Sequence, residues 1–246
     1  MYARHPLHAS MFRDRDDAGR RLGEALKART WARGGGAGRP LVLAVPRGGV
    51  PVGYHAARAL GARLDLVVPR KIQIPWEPEA GFGAVTSDGT VTLNEPLVAH
   101  LRLSREEVRR LAAGTVEEVR RREAAFRGAA PPPEIEGRTV VVVDDGLASG
   151  FTMIAALRSL LARRAGTIVV GMPCAPKDSV DRVGAHADEV VCLEVDEGWS
   201  FAVAAHYERW WDLTDDEVLA YLERARREGL FPASGRGLGP GEANND

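Results

Sequence analysis

The sequence predicts an α/β fold, a parallel sheet flanked by helices. Three observations predict it. Short apolar, β-branched runs alternate with segments of helical periodicity. One run, Val140 to Val143, leads straight into Asp144-Asp145, a small-residue loop and a helix-forming stretch. The segments richest in chemistry (Pro46 to Gly49, Arg70-Lys71 and Asp144 to Thr152) all stand at expected strand ends. Parallel sheets bind their ligands there.

Taken in order, Phe12, Ala18, Leu22, Ala25 and Leu26 fall roughly on one helical face, with Arg and Asp opposite; Gly34-Gly35-Gly36 breaks that helix. Leu41 to Val45 reads as a buried strand. Val52 to Leu60 reads as a helix ended by Gly61, and Leu64 to Val68 as a second strand closing on Pro69-Arg70-Lys71. Gln73 to Gly83, with its Pro, Glu and Gly, predicts a loop. Ala84 to Thr86 and Thr90 to Leu93 predict a hairpin across Ser87-Asp88-Gly89. Ser104-Arg105-Glu106-Glu107 is a capping-box pattern that opens a long charged helix to about Phe126, and Pro131-Pro132-Pro133 is a stiff connector. Met153 to Leu161 predicts a helix, Thr167 to Met172 and Val190 to Val195 predict strands, and Asp212 to about Glu228 predicts a last helix. Residues 1–231 read as one domain and 232–246, rich in Gly, Asn and Pro, as a disordered tail.

Composition narrows the function. The chain has 246 residues, 45% of them hydrophobic, and a formal net charge of −1. Arginines are interleaved with acids, so global charge argues for neither nucleic acid nor membrane. Cys174 and Cys192 lack metal-ligand spacing and point to a reduced, cytoplasmic protein. Met1 to Ser10 lacks an apolar leader core, and no apolar run approaches membrane-spanning length.

The chemistry concentrates in two loops. Asp144 and Asp145 supply carboxylates that accept hydrogen bonds from sugar hydroxyls. Gly146, Leu147, Ala148, Ser149, Gly150, Phe151 and Thr152 offer backbone amides, two hydroxyls and a helix N-terminus, the ingredients of a phosphate site. A loop that holds both a diol and a phosphate suggests a ribose-phosphate ligand; an ordinary buried strand and turn requires neither. Upstream, Val45-Pro46-Arg47-Gly48-Gly49 follows the first strand. Its adjacent glycines let amides approach an anion, and Arg47 adds a charged fork. A Walker loop and a proper dinucleotide fingerprint are both missing.

Together these residues resemble the signature of the type I phosphoribosyltransferases, most closely a poorly characterised bacterial group with Pro-Arg-Gly-Gly, Arg-Lys-Ile and Asp-Asp-Gly-x-Ala-hydroxyl-Gly segments. The resemblance spans roughly residues 10 to 225 and implies the family's parallel sheet with a small hood. A helical insertion at about 96–133 departs from the shortest members. It implies transfer of phosphoribosyl from phosphoribosyl pyrophosphate (PRPP) to a nitrogen nucleophile, with Mg²⁺ as cofactor and a homodimer as assembly. It places Asp144 and Asp145 at the ribose diol, in part through metal, and residues 146–152 at the 5-phosphate. Arg47, Gly48, Gly49, Arg70 and Lys71 fall at the pyrophosphate. Glu77 or Glu79 faces the acceptor, as a mobile-loop glutamate does in the adenine-using branch. Asp196, in Leu193-Glu194-Val195-Asp196, matches a metal-proximal Asp of purine-using members only loosely, and a surface turn is its other reading.

One departure matters. Hypoxanthine- and guanine-using members carry Asp where Ala148 stands, and Ala148 exchanges no proton. The acceptor is therefore left open between a nucleobase or related heterocycle and a non-nucleobase amine of specialised metabolism. A non-enzymatic PRPP-binding regulator is the remaining alternative. Trp199, Phe201, Tyr207, Trp210 and Trp211 read as packing of the C-terminal helices rather than as a wall over the acceptor. His186 and His206 show no partner pattern.

Overall fold

The computed structural model describes residues 11–33, 38–198 and 200–233. Gly34-Gly35-Gly36, Trp199, Met1 to Ser10 and most of the expected tail lie outside them. Among the described residues, eight strands and seven α-helices follow one another: α1 (Arg15–Lys27), β1 (Leu41–Ala44), α2 (Gly49–Leu60), β2 (Arg63–Leu66), β3 (Arg70–Ile74), β4 (Glu77–Val85), β5 (Val91–Leu93), α3 (Glu95–His100), α4 (Arg105–Arg127), β6 (Thr139–Val143), α5 (Phe151–Ala162), β7 (Thr167–Pro176), α6 (Lys177–Gly184), β8 (Glu189–Asp196) and α7 (Asp215–Arg227).

The main sheet is parallel, in the order β2-β1-β6-β7-β8, and a separate antiparallel sheet runs β3-β4-β5. Alternate side chains of the main strands enter opposite cores. Val42, Ala44, Val141 and Val143 pack in one core with Leu22 of α1, Val52 of α2, Val119 of α4 and Leu222 of α7. Leu41, Leu43, Val140 and Val142 pack in the other with Ile154 and Leu157 of α5 and Val183 of α6. Helices therefore cover both faces. The near-continuous valines of β6 are explained by burial on both sides.

This layering creates a crevice. From β1 the chain leaves through α2 on one face to reach β2; from neighbouring β6 it leaves through α5 on the opposite face to reach β7. The strand order reverses between β1 and β6, and ligands bind beyond the carboxyl ends at such a switch point.

Two local expectations need correction. The second strand ends at Leu66, and Arg70-Lys71 opens β3 rather than closing β2. The expected loop from Gln73 to Gly83 is instead most of a strand pair. Pro75-Trp76 forms its turn, and register shifts at Ile72/Gln73 and Gln73/Ile74 absorb the irregular sequence. Prolines and glycines read as loop residues, yet an irregular pairing tolerates them. The capping box at Ser104 is present, and the expected hairpin forms between β4 and β5. The short helix α6 lies where no helix was expected, and α3 opens the expected helical insertion ahead of α4.

Candidate functional site

The crevice is built from two strand-to-helix loops in contact. β1 and β6 pair with Ala44 opposite Val143, and the Val45 amide continues the ladder to the Val143 carbonyl at 2.9 Å. Pro46, Arg47 and Gly48 then turn the chain into α2, with a cis Pro46–Arg47 peptide. A Cβ on Gly48 would lie 1.9 Å from Asp145 Oδ2, and one on Gly49 would lie 2.6 Å from the Val143 carbonyl. Glycine is the residue that fits both positions. The Gly48-Gly49 loop and the acidic pair thus touch, as expected of groups sharing one ligand.

The two carboxylates are not equivalent. Asp144 is half-buried, and its Oδ1 accepts the Asp145 amide at 2.9 Å. Burial and the adjacent Asp145 charge hold the Asp144 carboxyl well above the usual carboxylate range. Asp145 is buried. Its Oδ2 accepts Arg15 Nε at 2.7 Å, and its carbonyl accepts the Tyr207 hydroxyl. Burial pushes the Tyr207 phenol far up, so it stays a donor.

The loop after the pair is folded against α6. The Ala148 carbonyl accepts the Ser179 hydroxyl and the Ser149 carbonyl accepts Arg182 Nη1, each at 2.5 Å. A trans peptide sets the next N–H opposite its carbonyl, so the Ser149 and Gly150 amides point away from α6. The Leu147 amide, expected among the phosphate donors, is instead bonded to the Cys174 carbonyl at 3.0 Å. Leu147 itself is buried. Gly150 caps α5 with φ of 79° and no side-chain cap bond. The first-turn amides of α5 thus remain for an anion. Ser149, Phe151 and Thr152 are exposed there. They line a cavity of about 500 Å³ with Lys71, Phe82 and Asn94, between the small sheet and α5.

The other expected site residues are spread more widely. Arg47 is half-exposed, with Nη1 3.8 Å from Asp215 Oδ1 at the start of α7. Exposed pairs of this kind hold weakly. Arg70 pairs with Glu118 of α4 at 3.1 Å, while Lys71 lines the cavity on the phosphate-loop side. Glu77 is exposed beside the β3–β4 turn, and Glu79 lies within β4. Asp196 ends β8; it accepts the Gly198 amide at 2.6 Å and lies 3.4 Å from His206 Nε2. It borders another cavity with Glu194 and Ser200.

Sequence reasoning missed Arg15. It is 6% exposed at the start of α1, its guanidinium carbon lies 3.7 Å from the Trp210 ring centroid, and its Nη1 donates to the Trp211 carbonyl at 2.8 Å. The signal was present: Arg15 lies three residues after Phe12 and three before Ala18, on the buried stripe. The packing reading of the aromatics holds for Tyr207, which is buried against Phe12, whereas Trp210 and Trp211 grip this arginine.

With this geometry in view, residues 24–209 match the family model of the phosphoribosyl transferase domain. The chain belongs to the phosphoribosyltransferase family. It is 39% identical over 218 residues to a Mycobacterium tuberculosis protein provisionally named a phosphoribosyl transferase, covering 89% of this chain and 48% of that one. This chain thus spans about half the length of the curated relatives it matches. Among solved structures it resembles TT1426 from Thermus thermophilus, at 38% identity and a TM-score of 0.71, covering 87% of this chain and 98% of that one. The parallel sheet with helices on both faces is the fold the family resemblance implied. No helix among the described residues of this family member is long and apolar enough to cross a membrane.

Proposed function

We propose that the protein moves the 5-phosphoribosyl group from PRPP to a nitrogen nucleophile, a nucleobase or related heterocycle, and works as a homodimer. The observation that carries the reading is the contact of the Gly48-Gly49 loop with Asp144-Asp145 at the β1/β6 switch point. A pyrophosphate and a ribose on one donor need two such loops side by side.

In the reaction the bond from ribose C1 to the pyrophosphate oxygen breaks, and a bond from C1 to the acceptor nitrogen forms. Pyrophosphate leaves with the bonding electrons, and the acceptor loses a proton. The first-turn amides of α5, with Ser149 and Thr152, hold the 5-phosphate. Asp144 and Asp145 face the ribose hydroxyls. Arg47, the Gly48 amide and Lys71 face the pyrophosphate, where fixed positive charge lowers the barrier as negative charge builds; the Gly49 amide, expected among the donors, is instead bonded to the Val45 carbonyl at 3.0 Å. Ala148 exchanges no proton, so the acceptor's proton departs elsewhere.

The donor set suits Mg²⁺. Adjacent carboxylates provide hard oxygen ligands, and Arg15 is paired with Asp145 alone of the two. Asp144, with Asp145 beside it, would hold the ion together with donor oxygens, and a bound Mg²⁺ supplies charge neutralisation at the leaving pyrophosphate.

The direct test is pyrophosphate release from Mg²⁺-PRPP across purines, pyrimidines and aromatic amines. Release with one acceptor supports the reading, and release with none argues for a binding protein. Asp144→Asn is expected to cut the rate by about tenfold to a thousandfold, the scale for one preorganised electrostatic partner. Its melting temperature should hold or rise, because Asn brings no charge into the half-buried site. A full rate would assign Asp144 to structure.

A further inference from the structure

We propose that Arg15 is a positioning residue for the donor's pyrophosphate: clamped by Trp210 and Trp211, it fixes and neutralises Asp145 beside the Gly48 loop. The inference rests on the phosphoribosyl reading above.

The oxygen that Arg15 holds, Asp145 Oδ2, is also the atom nearest the vacant Cβ position of Gly48, at 1.9 Å. A small displacement of this carboxylate therefore enters the loop that must receive pyrophosphate. Left unpaired, its charge would also oppose a polyanion at close range in a buried setting, where such charges act strongly. Arg15 removes both problems, and its own freedom is removed in turn. Its Nε is spent on Asp145, its Nη1 on the Trp211 carbonyl, and its face on the Trp210 ring.

The clamp is assembled from both ends of the described chain. The Phe12 amide donates to the His206 carbonyl at 3.0 Å, and the Phe12 carbonyl accepts the Glu208 amide at 2.8 Å. The Tyr207 hydroxyl meanwhile ties down the Asp145 carbonyl. Arg15, Trp210 and Trp211 all lie outside residues 24–209, the stretch that matches the family model. The clamp acts on one of the domain's two signature carboxylates from outside the matched stretch.

The test compares wild type, Arg15→Gln and Arg15→Lys by calorimetric titration with Mg²⁺-PRPP, with Mg²⁺-pyrophosphate and with ribose 5-phosphate. Arg15→Gln is expected to weaken PRPP and pyrophosphate about tenfold or more while ribose 5-phosphate stays within about threefold. Arg15→Lys, which keeps the charge, should recover most of the lost affinity. A merely structural arginine would leave all three affinities unchanged or lower them together, and either result overturns the proposal. If Arg15→Gln does not fold, Trp210→Leu, which removes the platform together with a ring contact to Tyr207, should give the same selective loss at smaller size; affinities for all three ligands unchanged from wild type, or lowered together, would overturn it. Wild-type protein that fails to bind PRPP would overturn the phosphoribosyl reading itself, a result distinct from an Arg15→Gln protein that binds as well as wild type.

Discussion

Gly48→Ala is expected to abolish Mg²⁺-PRPP binding. The new methyl would sit 1.9 Å from Asp145 Oδ2 and 2.3 Å from its carboxyl carbon, far inside van der Waals contact. The carboxylate has little room to retreat, because Arg15 holds it at 2.7 Å and the residue is buried. Either the loop moves off the acidic pair or the ion pair breaks. The first separates the groups that must grip one donor; the second strands a buried charge, at about 3–5 kcal/mol. A calorimetric titration decides the matter. Heat of PRPP binding equal to wild type in Gly48→Ala would mean that the two loops do not share a ligand.

Arg127→Ala should cost the most stability without touching the crevice. Arg127 of α4 donates through Nε and Nη2 to Asp65 Oδ1 of β2, at 3.0 and 2.8 Å, and pairs through Nη1 with Glu123. Both ends of the Arg127–Asp65 pair are almost fully buried. The second oxygens of Asp65 and Glu123 already lack partners. Removing the guanidinium leaves two buried carboxylates facing each other. Breaking a buried pair costs about 3–5 kcal/mol, which for a chain of this size is a fall in melting temperature of roughly 6–20 °C.

The loss should depend on pH. Burial raises the Asp65 carboxyl above its ordinary value, against the pull of Arg127. A raised carboxyl binds its proton more tightly in the folded state than in the unfolded chain, so stability falls as pH rises upward from the ordinary carboxylate range. Without Arg127 that rise is larger, and the variant should be weaker at pH 8 than at pH 5. Melting curves at both values check it; a loss under about 2 °C at pH 8 would show that the network contributes little.

What could be read from the sequence follows from how local each signal is. The valines of β6, the acidic pair and the glycine-started helices announce themselves within a dozen residues, because burial on both faces and anion binding each demand a residue type at a fixed place. The capping box at Ser104 is equally local. The pairing of β3 with β4 was hidden because Pro75, Pro78, Gly81 and Gly83 carry loop chemistry, and only the partner strand makes them a sheet. The loss of Leu147 as a phosphate donor depends on the Cys174 carbonyl, 27 positions away in the chain and on a different strand. Arg15 was hidden for the same reason: its partners lie 130 and 196 positions away. An arginine on an apolar stripe is nonetheless a visible clue to a buried acid.

The most direct measurement is a thermal shift of the wild-type protein with Mg²⁺-PRPP, ribose 5-phosphate and ATP. Ligand at one hundred times its dissociation constant stabilises the native state by about 2.7 kcal/mol, or roughly 5–11 °C for a chain of this size. Mg²⁺-PRPP is expected to give that rise. Ribose 5-phosphate should give less, since it leaves the Arg47-Gly48-Gly49 loop empty, and ATP should give little. No response to Mg²⁺-PRPP, or equal responses to PRPP and ATP, would contradict a donor site at the β1/β6 crevice.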